Sequence, residues 1–145
     1  MAPLVVLVVV TALARLLGGL GEIAWLDSWS DAVRLGLAAM FALTASAHFQ
    51  QPRRSALIDM VPPRLPAAPA LVTLTGVLEI AGAVGLLIPA TADLAAAGLA
   101  ALLLVMFPAN VRAARQGVGV KTMPLPLRTL VQVVFLGATV LVIAG

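Results

Sequence analysis

The chain has no cysteine, no tyrosine and a single histidine, with only nine basic and six acidic residues in 145. Each scarcity excludes some chemistry. Without cysteine there is no disulfide, no thiolate-bound zinc, no iron–sulfur cluster and no thiol redox couple. The lone histidine, His48, cannot form a bis-histidine haem site without a second subunit. With no tyrosine, and with Trp25 and Trp29 in one short stretch, an aromatic cage for an organic cation is missing. There is no Ser-His-Asp arrangement, HExxH, P-loop or GxGxxG, which argues against a self-contained hydrolase or nucleotide enzyme.

What fills the chain instead is apolar. Hydrophobic residues make up 62% and charged residues 10%, against about 25% charged in soluble domains. The mean hydropathy is +1.12. This composition is that of an integral membrane protein, whose first partner is the lipid bilayer. The net charge of +3 is then read as cytoplasmic loops and not as a nucleic-acid-binding surface, so no nucleic-acid partner is expected.

A membrane helix needs roughly 20 mostly apolar residues. Five segments meet this, at about 3–21, 31–49, 70–89, 92–111 and 126–144. None alternates apolar and polar residues with period two, so membrane strands are excluded. The expected fold is all-α, one polytopic transmembrane bundle spanning 1–145. Pro89, Ala90 and Thr91 predict a tight turn, with Asp93 placed at the following helix N-terminus. Residues 52–69 contain five prolines and cannot form one continuous helix. Within them Ser55 is expected to cap a short interfacial turn that Pro62 ends. A rival reading takes the first segment as a signal peptide cut after Ala12-Leu13-Ala14, leaving four spans. The missing basic start and the continuing apolar run speak against it.

Orientation follows from the charges. Arg53, Arg54 and Arg64 follow segment two, and Arg112, Arg115, Lys121 and Arg128 surround the loop after segment four. Five spans bring both groups to one side, which the positive-inside rule makes the cytoplasm. Glu22, Asp27, Asp31, Asp93, Arg34 and both tryptophans fall on the other side. The expected location is the cell's inner membrane, with the N-terminus cytoplasmic and the C-terminus outside.

Five polar side chains are candidates for ligand binding or proton relay. Glu79 lies near the middle of segment three. A central charge costs about 2.5–3.5 kcal/mol, and the segment's aliphatic residues return about 0.3–0.6 each. Ten such residues therefore carry Glu79 into the membrane, provided that it faces protein. Gly76 and Gly82 flank it at three-residue spacing, which invites close approach of another helix. Counted from the cytoplasmic ends, Arg15 lies within about 4–5 Å of its depth and is the expected partner; Arg34 is the alternative, or an interfacial anchor. His48 shares a face with Arg34, Ala38, Phe41 and Ala45, with Thr44 and Ser46 nearby. Asn110 follows Pro108 at the end of segment four and is expected at the depth of His48, so that both line a cytoplasmic-side pocket. Each of these side chains also has a purely structural reading, as packing, cap or anchor.

Several stretches resemble the DoxX family of small bacterial membrane proteins. They are the helix from Arg34 to Phe49 ending in SAHF, then MVPPRLP (Met60 to Pro66), LTGVLEIAGAVGLLIP (Leu74 to Pro89) and MFPANVRAA (Met106 to Ala114), in the family's order. The closing PLPLRTLVQVVF is similar as well. The chain departs from the pattern at Ala45, where the family has glycine. The resemblance implies a four-helix core, to which the N-terminal helix is added. It also implies an accessory or ligand-binding subunit linked to quinone or envelope redox systems, with a quinone as the compatible cofactor and a membrane or peripheral redox protein as partner. It does not imply independent catalysis. Oligomerisation is compatible with the apolar surface, and the competing functions are a small proton-coupled transporter and a structural assembly protein.

Overall fold

The computed structural model describes residues 1–21, 23–119 and 123–145. Among the described residues six α-helices follow one another: α1 (Ala2–Gly19), α2 (Trp29–Phe49), α3 (Arg53–Met60), α4 (Ala68–Leu87), α5 (Ala92–Gln116) and α6 (Leu125–Ala144). Among the described residues there is no strand. All but α3 are long and apolar enough to cross a membrane. The chain is an all-α, polytopic helical bundle.

Local chemistry explains the helix ends. Pro3, Pro69 and Pro126 lie in the first turns of α1, α4 and α6, where the missing N–H costs nothing. Ser28 caps α2: its Oγ accepts from the Asp31 amide at 2.9 Å and donates to Asp31 Oδ2 at 2.7 Å. Asp93 sits in the first turn of α5, as expected. The Pro89–Thr91 turn is a single 3-10 turn.

The ends of the long helices fall within two residues of the expected ones, except at the end of α5, and the start of α3 also differs from the sequence reading. The short interfacial element α3 begins at Arg53, so Ser55 is inside it and does not cap it. Gln51 instead receives the Ser55 amide at 3.3 Å and its hydroxyl at 2.7 Å. The acceptor has to precede the first turn, and Gln51 does. Helix α5 runs past residue 111 to Gln116, since nothing in Val111–Gln116 breaks a helix. Gly117, at φ 64°, ends it in the left-handed region. The added turn carries Arg112 to the carbonyls of Asp59 and Val61, the latter at 2.9 Å, which ties α5 to the end of α3.

The ends pair as five crossings require. Ser30 Oγ donates to Val142 O at 3.4 Å, so the start of α2 meets the end of α6. Arg112 brings the end of α5 to α3, on the opposite side. Helix α2 is central and packs on α1, α4 and α6. The core draws on every long helix: Leu7, Leu37, Met40, Phe41, Leu86, Leu99 and Val142 are all buried. Apolar side chains such as Val8, Leu13, Leu94, Val105 and Val140 point outward. In a bilayer that surface needs no protein cover, and helix association rests on close packing and on polar contacts between helices.

Candidate functional site

The seam between α2 and α4 holds the polar centre of the bundle. Glu79 is 5% exposed and His48 3%. Glu79 Oε2 accepts from Thr44 Oγ1 at 2.8 Å, and Oε1 lies 3.6 Å from His48 Nε2. On the other edge of the ring, His48 Nδ1 is 2.8 Å from the Val72 carbonyl and 3.1 Å from Thr75 Oγ1. The cluster therefore bridges the helices at four side chains, and no atom of the His48–Glu79 pair is among the buried polar atoms left without a partner.

Gly76 makes this closeness geometric. A Cβ there would lie 2.6 Å from His48 Cβ and 2.9 Å from the Phe49 ring. The bare backbone lets α2 approach until Val72 and Glu79, one to two turns apart, both reach the same imidazole. Gly82 does not serve this seam. Its missing Cβ would meet Leu99 of α5 at 2.5 Å. Six residues on a helix turn the direction by about 120°, so the two glycines serve different neighbours.

Arg54 closes the loop end of the site. It donates to His48 O at 2.6 Å, to Thr73 Oγ1 at 2.9 Å and to Pro69 O at 3.2 Å. From sequence it counted only as loop charge. Thr44 likewise counted only as nearby polarity, yet Thr44 and Thr75 are direct partners of the pair. The available signal was spacing: Thr44 precedes His48, and Thr75 precedes Glu79, by four residues each, hence on the same helix face.

The expected Arg15–Glu79 pair is not formed. Arg15 Nη1 bonds the Leu26 carbonyl and Asp27 Oδ1, both at 3.1 Å, and its guanidinium lies 5.0 Å from the Trp29 ring centre. Depth along the helices was the wrong criterion. Arg15 stands near the end of α1, its long side chain reaches outward, and the Ala24–Asp27 turn folds back over that end to meet it. Glu79, meanwhile, faces α2. Arg34 is likewise not a partner of Glu79. It pairs with Asp31 at 2.9 Å and lies 5.8 Å from the Trp25 ring centre. Both arginines thus join the acidic, tryptophan-bearing end. Glu22 and Lys121, counted in the charge pattern, lie outside the described residues.

Among the described residues, neither groove between the helices joins His48 and Asn110. Asn110 sits on the α5–α6 seam, where its Oδ1 accepts from Arg128 Nη1 at 2.7 Å. Gln132, which sequence reasoning missed, is buried there and donates to Leu103 O at 2.8 Å. The α2–α4 and α5–α6 seams are different faces of the bundle. The two sites share an end but not a hydrogen bond among the described residues.

An apolar groove of about 460 Å³ runs beside the His48–Glu79 seam. Its lining includes Ala38, Ala42, Ala45 and Ser46 from α2 and Ile80 and Ala83 from α4. Ala45 and Ile80 are sequence neighbours of Thr44 and Glu79, but none of Thr44, His48, Thr75 and Glu79 lines the groove. Its size is that of a small-molecule site. A second groove of about 890 Å³ lies between α4 and α5, around Gly82, Gly85 and Gly98, with Thr91 as its polar margin. The Thr91 hydroxyl already donates to Gly85 O at 2.9 Å. Among the described residues no three His, Asp or Glu side chains gather as metal ligands. The chemistry available is hydrogen bonding and proton exchange at His48, Glu79, Thr44 and Thr75.

Membrane-length helices around a buried histidine–glutamate pair define a small multi-pass membrane protein with ionisable groups in its interior. By sequence, the chain belongs to the family described as domain of unknown function DUF8561, which it matches over residues 37–144. The match takes in most of α2 and all of α3 to α6 and leaves α1 outside. No curated protein and no solved structure matches the chain.

Proposed function

We propose that this protein is a DoxX-like accessory subunit of a bacterial cytoplasmic membrane. In this reading it holds a lipid-soluble ligand of the quinone class at the α2–α4 seam and serves a quinone-linked or envelope redox partner. The observation that carries the reading is the His48–Glu79 pair, buried in an otherwise apolar bundle beside an apolar groove. Quinones combine a long apolar body with carbonyl or hydroxyl groups that accept and release protons. The groove suits the first and the pair suits the second. The N-terminus is assigned to the cytoplasm because Arg53, Arg54, Arg64, Arg112, Arg115 and Arg128 gather at the α3 end.

Two other functions fit less well. A proton-coupled transporter needs a polar route across the membrane. Between Glu79 and the Arg34–Asp31 pair the core is formed by Leu37, Ala38, Met40, Phe41, Ala83 and Leu86. A purely structural role is favoured by one observation, the bonds of His48 to Val72 O and of Thr44 to Glu79, which would lock α2 to α4. Purification in mild detergent followed by mass spectrometry of the extracted lipids separates these. A bound quinone that is lost with His48→Leu is the expected result. Absence of any quinone, with no redox protein recovered in native pull-downs, would overturn the proposal.

A further inference from the structure

We infer that His48 and Glu79 together hold a single proton, carried between Nε2 and Oε1, and that this is the proton the site exchanges with its ligand. The inference rests on the reading of the pair as a headgroup site, but its test needs no ligand.

The argument begins at the far edge of the ring. A backbone carbonyl only accepts, so the 2.8 Å contact with Val72 O requires the hydrogen on Nδ1. Thr75 agrees. Its hydroxyl has backbone acceptors of its own, Leu71 O at 3.0 Å and Val72 O at 3.1 Å, so it turns a lone pair toward Nδ1. The partner of one ring nitrogen sets the state of the other. Nε2 is therefore a bare lone pair unless the ring is charged.

That nitrogen faces Glu79 Oε1 at 3.6 Å. A bare Nε2 against an ionised carboxylate would oppose two lone pairs across 3.6 Å and leave the buried carboxylate with Thr44 as its one hydrogen-bond donor among the described residues. One proton in the gap removes both faults. It gives imidazolium with carboxylate, or Nδ1–H imidazole with carboxylic acid. The two forms interconvert by breaking an O–H bond and making an N–H bond, with no change in net charge and no electron transferred. Thr44 supports either form, because it donates to the other carboxylate oxygen. Two protons would leave a buried positive charge, which Arg54, the cation next to His48, would oppose.

The neighbours on every side are consistent with a closed unit. From α3 the one charged group at the pair is Arg54; from α4 come Thr73, Thr75 and Glu79; from α2, Thr44. No titratable side chain of α1, α5 or α6 makes a hydrogen bond or ion pair with it among the described residues. When a ligand takes the proton, the pair is left with one negative charge until another proton arrives. His48 is one residue from the end of α2, and the core beyond Phe41 is apolar, so the replacement comes from the α3 end.

Because His48 is the only histidine, labelling with [15N]histidine reports one ring. The protein, purified without a polyhistidine tag, is placed in lipid nanodiscs. Its ring 15N shifts are read together with the Glu79 side-chain 13C shift, which Glu22→Gln separates from the other glutamate. The expected result is a protonated Nδ1 with either a protonated Nε2 and an ionised Glu79, or a bare Nε2 and a protonated Glu79. Glu79→Gln is expected to leave a neutral ring, Nδ1 protonated and Nε2 bare. A bare Nδ1 in either protein would overturn the inference. So would a bare Nε2 beside an ionised Glu79, or both groups fully protonated. Failure to find a quinone would sink the functional proposal and leave this result untouched.

Discussion

Gly76→Ala is the smallest change that tests whether the α2–α4 seam is built by close approach. The added methyl would start 2.6 Å from His48 Cβ, 2.9 Å from the Phe49 ring and 3.0 Å from His48 Cγ. Carbon atoms settle at about 3.5–4.0 Å, so the helices must part by roughly 1 Å. His48 Cβ is fixed to its backbone, and no rotamer change relieves it. Overpacking of this kind costs about 1–3 kcal/mol. The same displacement stretches the 2.8 Å bond between His48 Nδ1 and Val72 O beyond hydrogen-bonding range. That adds about 1 kcal/mol. Alanine returns about 1 kcal/mol by its helix propensity. The net expectation is a loss of roughly 1–3 kcal/mol. Reversible unfolding in mixed micelles, followed by circular dichroism, measures it. Gly98→Ala is the control: nothing lies within 4 Å of its Cβ position, so it carries the propensity gain alone. If the two variants unfold together, close approach at Gly76 does not hold the seam, and the packing argument fails.

Three further expectations follow from the same geometry. Glu79→Gln keeps an acceptor for Thr44 and offers an N–H to Nε2, so it should stay within about 1 kcal/mol of the parent, whereas Glu79→Leu orphans both partners and should lose about 1–3 kcal/mol; equal stabilities in the micelle assay would refute this account of the cluster. The absence of native cysteine makes accessibility mapping direct: in intact cells a membrane-impermeant maleimide should label Ala90→Cys and spare Leu65→Cys, and the reverse pattern would invert the assigned orientation. In proteoliposomes under a pH gradient, wild-type protein should pass no more protons than empty vesicles, because Leu37, Met40, Phe41 and Leu86 seal the core above the pair; a flux abolished by Glu79→Gln would restore the transporter reading.

Much of the architecture could be read from one dimension. Apolar runs of sufficient length imply spanning helices, because an unpaired backbone is intolerable in lipid. Pro52 to Pro69 interrupts them, and the placement of arginine sorts the ends. The sequence also placed Glu79 and His48 among its five polar candidates, since an ionisable side chain among aliphatics is visible without coordinates. The partners were not visible. Two arginines, Arg15 and Arg34, were available to Glu79, and counting residues made Arg15 the nearer in depth. What decides is which helix Glu79 faces and which way a long side chain bends. Both depend on the lateral order of the bundle. The fold sets α2 against α4, removes the steric barrier at Gly76, and turns Arg15 outward to Asp27. Composition and spacing thus determined that this is a multi-pass membrane protein with a buried carboxyl group. Only tertiary packing decided that the carboxyl meets an imidazole, because contacts across helices depend on rotation about each axis, and several rotations are compatible with the same apolar sequence.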